Sequence, residues 1–325
     1  MNVYFTFDYE LFFGSNSGTV ENCILKPTYE LIKIAEKYNV KFVFFVDSGF
    51  LIKLDEYKKQ FPVLEEDYEK IINQLKYLND TGHDIQLHIH PHWEDSCFDG
   101  EKWIINTSRY RLHQFDEEEI EDIVVRYKKV LTDIIGDKVF AFRAGGWCIQ
   151  PFEKISKALK NNNIWLDSTV YEGGENLSST HYFDFKNTPK KSYWNFEDNP
   201  LKENLNGFFK EIPIASQKLS PLFFWKFAIT KKFASQKHKI FGDGNPVGAS
   251  KKNIVKMLTL PSYNAVSCDG YKSSLLLKSY KDNKYEDFVI IGHPKAQSKY
   301  SLNKINEFII ETTKESSIKT FGNIK

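Results

Sequence analysis

The chain has 325 residues, with 44 Lys plus Arg against 43 Asp plus Glu and a net charge of +1. That balance gives no support to a nucleic acid or another polyanion as partner, which would usually require a basic face. An apolar share of 41% and an aromatic share of 15% exclude a disordered chain, and the length suits one large domain.

Residues 3–7 form a short apolar run of β-formers, read as the first strand. Residues 26–38 follow as a helix with Leu31, Ile32 and Ala35 on one face. Residues 40–46 (VKFVFFV) are almost continuously apolar, as in a strand buried on both faces of a parallel sheet. A helix over 67–79 carries Ile71, Ile72, Leu75 and Leu78, Gly82 ends it, and 84–89 is the next strand. The acidic run Asp116-Glu117-Glu118-Glu119 opens a helix that continues to about 135. Residues 139–142, 151–159 and 164–167 then read as strand, helix and strand. From about 172 to 285 the alternation fades, apart from a strand at 211–215 (EIPIA); a final strand at 288–292 (FVIIG) and a closing helix at 304–313 complete the chain.

Strand and helix alternating over the first half predict an α/β fold of parallel βα units, barrel or open sheet. The expectation is a single domain over 1–325 with an irregular insertion at about 172–285. Within the insertion, residues 221–234 (PLFFWKFAITKKFA) are aromatic and carry Lys226, Lys231 and Lys232. The ordinary reading is a helix packed on the barrel. The sharper one is an interfacial segment that touches a membrane or a lipid-linked substrate. Most of the other rings are read as core.

Cys23, Cys97, Cys148 and Cys268 are widely spaced and form no C-x-x-C pair, which argues against a disulfide framework or a cysteine zinc site. The N-terminus shows no basic stretch followed by an apolar one, so no signal peptide is read. No apolar run is long enough to cross a bilayer, and a cytoplasmic protein is expected, with membrane contact confined to 221–234. Oligomeric state is not legible.

The residues that carry chemistry sit where the predicted strands end: Asp8, His88, Arg143, Asp167 and His293. In α/β folds, active sites gather at the C-terminal ends of strands. Three of the eight histidines, His88, His90 and His92, occupy alternate positions in the stretch HIHPHW, which Trp93 closes. Imidazoles so placed can share one cation. Asp8 and Glu10 are two residues apart, so an extended chain points both carboxylates the same way. Two histidines and a carboxylate with open positions are a common layout for catalytic zinc or ferrous iron. An H-E-x-x-H protease site is rejected, because Ile89 stands where the Glu would be and Pro91 disfavours a helical His90. Arg143 is a permanent cation that can orient a buried carboxylate, and Gly145-Gly146 after it lets backbone approach a ligand. The ordinary reading of Asp167 is a turn cap. His293, at the tip of the last strand, is the candidate general acid.

This ordered set resembles the polysaccharide deacetylases, the NodB-homology family also called carbohydrate esterase family 4, in a variant like those of surface-polysaccharide biosynthesis. The resemblance covers about 3–170, 208–216 and 287–296. It implies a distorted (β/α) barrel of about seven strands, and metal-dependent removal of an N-acetyl group from a sugar. It implies Asp8 as base, Arg143 as the residue that holds it, Asp167 as a looser fourth match and His293 as acid. The metal ligands would be Glu10, His88 and His92, with Tyr9 standing where many members have the metal-binding Asp. His90 would fall to substrate contact with Trp93, and the oxyanion donor would lie near Gly146 or Trp147. The cofactor would be a divalent metal, zinc by default. The partner would be an N-acetylated sugar, free, nucleotide-linked or lipid-linked, and not a nucleic acid. The rival readings are a metal-dependent hydrolase of a non-sugar C–N bond and a non-catalytic sugar-binding module.

Overall fold

Among the described residues, nine strands join in one curled sheet: β1 (Asn2–Tyr9), β2 (Val43–Asp47), β3 (Asp84–Ile89), β4 (Ala141–Ala144), β5 (Leu166–Asp167), β6 (Trp194–Phe196), β7 (Phe209–Glu211), β8 (Asp287–Gly292) and β9 (Ser317–Ile318). The structure is a computed structural model that describes residues 1–233, 236–248 and 251–324. Ala234, at the end of the aromatic segment, therefore lies outside the described residues. The strand order is β6-β7-β5-β4-β3-β2-β1-β8, with β9 also on β1. Seven strands, from β7 round to β8, form the parallel wall; β6 pairs antiparallel with β7 at its edge. The two ends of the wall meet at Ile214, whose N–H donates to Val170 O at 2.8 Å, while Ala215 N–H donates to Val289 O at 2.9 Å. The result is the distorted (β/α) barrel that the resemblance implied, and not the open sheet that the alternation also allowed.

Helices cover the outside: α1 (Lys26–Tyr38), α2 (Ser48–Tyr57), α3 (Pro62–Asp80), α4 (Glu117–Ile135) and α5 (Glu153–Asn161) over the first half, α8 (Leu276–Asp282) and α9 (Lys299–Thr312) near the end. The insertion holds α6 (Pro221–Phe233) and α7 (Lys251–Thr259), together with two ribbons, Ser216–Leu219 with Ser262–Ala265 and Glu175–Leu177 with Tyr182–Asp184. Local chemistry explains the boundaries. Asp116 caps α4, accepting from Glu119 N–H at 2.8 Å while Glu119 accepts from Asp116 N–H at 3.0 Å. Pro62 starts α3 five residues earlier than its apolar periodicity predicts, because proline suits the first helical turn. The EIPIA strand is cut short at Glu211, since Pro213 has no N–H to pair. The sequence reading missed α2, which leaves β2 with no intervening turn residues.

β1 is buried from Val3 onward because it has neighbours on both edges and both faces. Phe5 and Phe7 pack on Phe42 at 5.3 and 5.4 Å between ring centroids, and Phe308 of α9 meets Phe5 edge-on at 5.6 Å. The sheet register then does the positioning. His88 lies opposite both Asp47 and Arg143, and Asp8 opposite Phe45, so the polar strand ends come level at one rim.

His83, at the turn into β3, is the buried polar group of this packing. Its Nδ1 accepts from Phe42 N–H at 3.1 Å, and its ring edges face Phe42 and Phe44. Burial, reinforced by the charge of Lys41, pushes its pKa down to about 4. The unfolded chain, with an ordinary histidine pKa of about 6.5, binds the proton more readily. The contribution of neutral His83 is therefore complete above about pH 6.5 and is lost as pH falls towards 4. In His83→Gln, whose amide oxygen can accept the Phe42 N–H, the stability lost between pH 7 and pH 4 should be smaller by up to ~3 kcal/mol. Urea melts of both proteins across that range measure it, and equal losses would contradict the assignment.

Candidate metal centre and active site

Four parallel strand ends build the site. β1 delivers Asp8 and, one residue past its end, Glu10; β3 delivers His88 and His90; β4 delivers Arg143; β8 leads into His293 and Lys295. All seven are buried or nearly so. Glu10 Oε2 lies 3.1 Å from His88 Nε2 and 2.7 Å from His90 Nε2. Its other oxygen, Oε1, accepts from Lys295 Nζ at 2.8 Å, and Lys295 also donates to the Leu11 carbonyl. One donor atom from each of Glu10, His88 and His90 falls within 4.8 Å of the others, the candidate metal centre among the described residues. The second nitrogen of His88, Nδ1, lies 2.9 Å from the Arg143 carbonyl. A carbonyl only accepts, so Nδ1 carries the proton and Nε2 is left for a cation. The donor set therefore fits a divalent metal.

Asp8 stands beside this group. Its Oδ1 accepts from Arg143 Nη1 at 2.7 Å, and its Oδ2 lies 3.8 Å from His88 Nε2 and 3.7 Å from His293 Nε2. Arg143 is held from behind: Nε donates to Ser168 O at 2.7 Å, and the guanidinium lies 4.1 Å from the Phe45 ring centre. His293 is held from its far side, with Nδ1 2.7 Å from Asp269 Oδ2 and its N–H donating to Asp269 Oδ1 at 2.8 Å. Its Nε2 is thereby turned toward Asp8 and Glu10.

Burial and charge oppose one another throughout. Burial alone would push the Glu10 carboxyl up, but Lys295 and the two imidazoles outweigh it and hold it well below the carboxylate range. Burial disfavours charge on His88, yet Asp8, Glu10 and Asp47 lift it to about 8. At His90 burial prevails, and the pKa falls to about 4. His293 is raised: burial lowers it, and Asp269, Asp8 and Glu10 more than compensate.

These groups line a cavity of ≈ 300 Å³ together with Phe12, Phe13, Tyr110, Ala144, Gly146, Trp147 and His181. Gly146 and Trp147 both take left-handed backbone, φ +59° and +61°. A Cβ on Gly146 would meet Tyr110 at 2.8 Å, and one on Gly145 would meet His90 Nδ1 at 2.5 Å. The glycine pair thus makes room for the His90 imidazole as well as for a ligand.

The structure departs from the expected ligand set at one histidine. His88 and His90 alternate in extended chain and so reach the same side. Pro91 then opens a 3-10 turn, Pro91–Asp95, which rotates His92 out of that register. His92 instead stacks on Tyr110, 5.4 Å between ring centres, and packs on Phe13; it does not line the cavity. Trp93 is likewise removed from the substrate side. It is fully buried among Phe50 and Trp103 and donates to Asp47 Oδ2 at 2.6 Å. Asp167 is buried behind Arg143, accepting from Thr169 Oγ1 at 2.6 Å, and its pKa is raised chiefly by burial. Asp8, Glu10, His88, His90, Arg143, Gly146, Trp147 and His293 line one cavity. Asp269, Lys295, Tyr110 and His181 are additions. Lys295 was within reach of the sequence, since it follows His293 at the same two-residue interval that joins Asp8 to Glu10. Asp269 was not, because it lies in the insertion.

No protein-family model matches the sequence, and no curated protein is recognisably related to it. Solved structures do match in fold. A Mycobacterium smegmatis protein assigned to the polysaccharide deacetylases matches with a TM-score of 0.52 at 15% identity, covering 99% of this chain and 88% of that one. PuuE allantoinase matches with a TM-score of 0.50 at 10% identity, over the same 99% and 88%. The chain shares the distorted (β/α)-barrel fold of these two structures.

The two histidine assignments separate in one measurement. His90→Ala and His88→Ala should each lose bound metal by more than ~10-fold, whereas His92→Ala should keep it. Metal content of the purified variants after equilibrium dialysis decides. Loss in His92→Ala with retention in His90→Ala would restore the i, i+4 pair.

Proposed function

We propose that the protein is a metal-dependent hydrolase that removes an N-acetyl group from a sugar, in the assembly of a surface polysaccharide. The observation that carries this reading is the arrangement at one rim of the barrel: a carboxylate beside a candidate metal triad, and opposite it a histidine whose far nitrogen is engaged by Asp269. Simple sugar binding has no need of that arrangement.

Glu10, His88 and His90 would hold a divalent cation, zinc as first candidate, which would supply Lewis acidity to the site. The chain's own groups do the rest. Asp8, fixed by Arg143, takes the proton from the water as its oxygen adds to the acetyl carbon. The N–H groups near Gly146 and Trp147, at the cavity wall, face the developing oxyanion. His293, lifted in pKa, gives its proton to the amine nitrogen as the C–N bond breaks, leaving acetate and a free amino sugar. The rings of Tyr110, Trp147 and His181 offer flat apolar walls to a pyranose.

A second reading, hydrolysis of a non-sugar C–N bond, is favoured by the fold match to an allantoinase, which is as broad as that to the deacetylase-assigned protein. The substrates separate the two: acetate release from free, nucleotide-linked or lipid-linked N-acetylated sugars supports the first reading, and its absence from all of them overturns it. With an active substrate, Asp8→Asn and His293→Ala should each lower turnover by ~100-fold or more while metal content is kept. Asp269→Asn should retain part of the activity and shift the high-pH limb of the pH–rate profile to lower pH, because His293 loses the anion that raises it. An unmoved limb would remove Asp269 from the mechanism.

A further inference from the structure

α6 is apolar on two opposite faces. Phe224 is buried on one of them, where Phe223 and Phe227 pack on Tyr271 at 5.6 and 6.2 Å between ring centroids. Leu222, Trp225, Ile229 and Phe233 recur at intervals of three and four residues and so form one stripe on the other. All four are exposed, Trp225 by 52% and Phe233 by 74%. A surface helix ordinarily turns a polar face to water; α6 turns a second apolar face outward. α7 lies against it, with Trp225 Nε1 donating to Leu258 O at 3.2 Å, and adds exposed Ile254 and Val255.

The charge of this segment differs from that of the whole chain. Residues 221–260 contain eight lysines and one acidic residue, Asp243, in a protein of net charge +1. Asp243 is exposed, but both its carboxylate oxygens are engaged, accepting from Thr19 and Asn22. Among the described residues, the ion pair these lysines make is that of Lys256 with Glu175, at 3.5 Å. The helical repeat sets Lys226 and Lys232 on either flank of the apolar stripe, where long stems can lie along it and charged heads can extend beyond. α6 has 13 residues, and no described helix is long and apolar enough to cross a membrane.

We infer that α6 and α7 dock the protein on an anionic lipid surface, α6 lying in the interfacial plane with its Trp225 stripe inserted and its lysines at the headgroups. A second copy of the chain is the poorer occupant, because it would set eight lysines against eight. The docked face also leads to chemistry. A cavity of ≈ 320 Å³ behind α7 is lined by Asn253, Lys256 and Met257, and shares Gly146, Trp147 and His293 with the active-site cavity. A saccharide carried by a membrane lipid would enter by this route, a step that rests on the deacetylase reading; the docking itself does not.

Co-sedimentation of the full-length protein with phosphatidylcholine vesicles, with and without phosphatidylglycerol, tests the docking. Binding should require the anionic lipid and be released by salt. W225S/F233S should weaken it by about tenfold, and K226E/K232E by a similar factor with a shallower salt dependence. Unchanged thermal melts establish that the variants are folded. Acetate release from a soluble N-acetylated sugar, unchanged in both, reports separately on the reaction, so loss of one readout does not imply loss of the other. No binding, or equal binding to neutral vesicles, would overturn the inference. So would a dimer seen by light scattering that W225S/F233S abolishes, since the occupant would then be a second copy.

Discussion

The site depends on one buried carboxylate. Glu10 is only 6% exposed, and an ionised carboxylate at that depth is costly unless charged or hydrogen-bonding partners replace its water. The replacements come from His88 and His90 at the end of β3 and from Lys295 after β8. Lys295 and Glu10 are 285 positions apart in sequence. Their meeting requires the first and last long strands of the barrel to be neighbours, as the parallel register of β1 on β8 makes them. Closure of the barrel and assembly of the site are in this sense one event.

The same rule extends outward from Glu10. Three carboxylates at the rim have a cation each: Asp8 has Arg143, Glu10 has Lys295 and the imidazoles, Asp269 has His293; Asp47 accepts from Trp93 instead, and burial lifts its carboxyl to about 7. Groups closer to the sheet lack such relief. Asp167 and Glu211 lie together beneath Arg143, and burial with mutual repulsion drives the Glu211 carboxyl well above its usual range. One proton between them lets two carboxyls share a dry pocket. Charge is thus kept where a substrate can use it and neutralised where it would only burden the fold.

The first half of the chain was legible because its physics is local. Apolar runs, helix periods and caps located β1 to β5 and, α2 apart, the helices among them within about five residues, and strand ends pointed to Asp8, His88, Arg143 and His293. The choice between His90 and His92 shows where legibility stopped. An i, i+4 family pattern favours His92, whereas alternation in extended chain favours His90, and the outcome turns on where β3 ends. Pro91 marks that point: chain up to His90 is extended, and chain after it turns. Trp93 illustrates the opposite failure. Its place beside three histidines implied a ligand contact, but its partner, Asp47, sits at the end of a different strand, and proximity in sequence carries no information about that.

The insertion was opaque because its order comes from distant contacts. Beyond β6 and β7, its backbone joins the barrel at single points, such as Ser267 bridging to Ile291, with no periodicity to reveal them. Yet Asp269 lies two residues past that bridge, where Cys268 N–H donates to Ile291 O at 2.9 Å. One hydrogen bond on the edge strand therefore sets the carboxylate that orients His293, 24 positions away. The insertion is part of the candidate site rather than an ornament on it. It supplies the anion behind the candidate acid, the His181 wall of the cavity, and the helix pair whose lysines and outward apolar stripe give this near-neutral protein a strongly basic segment.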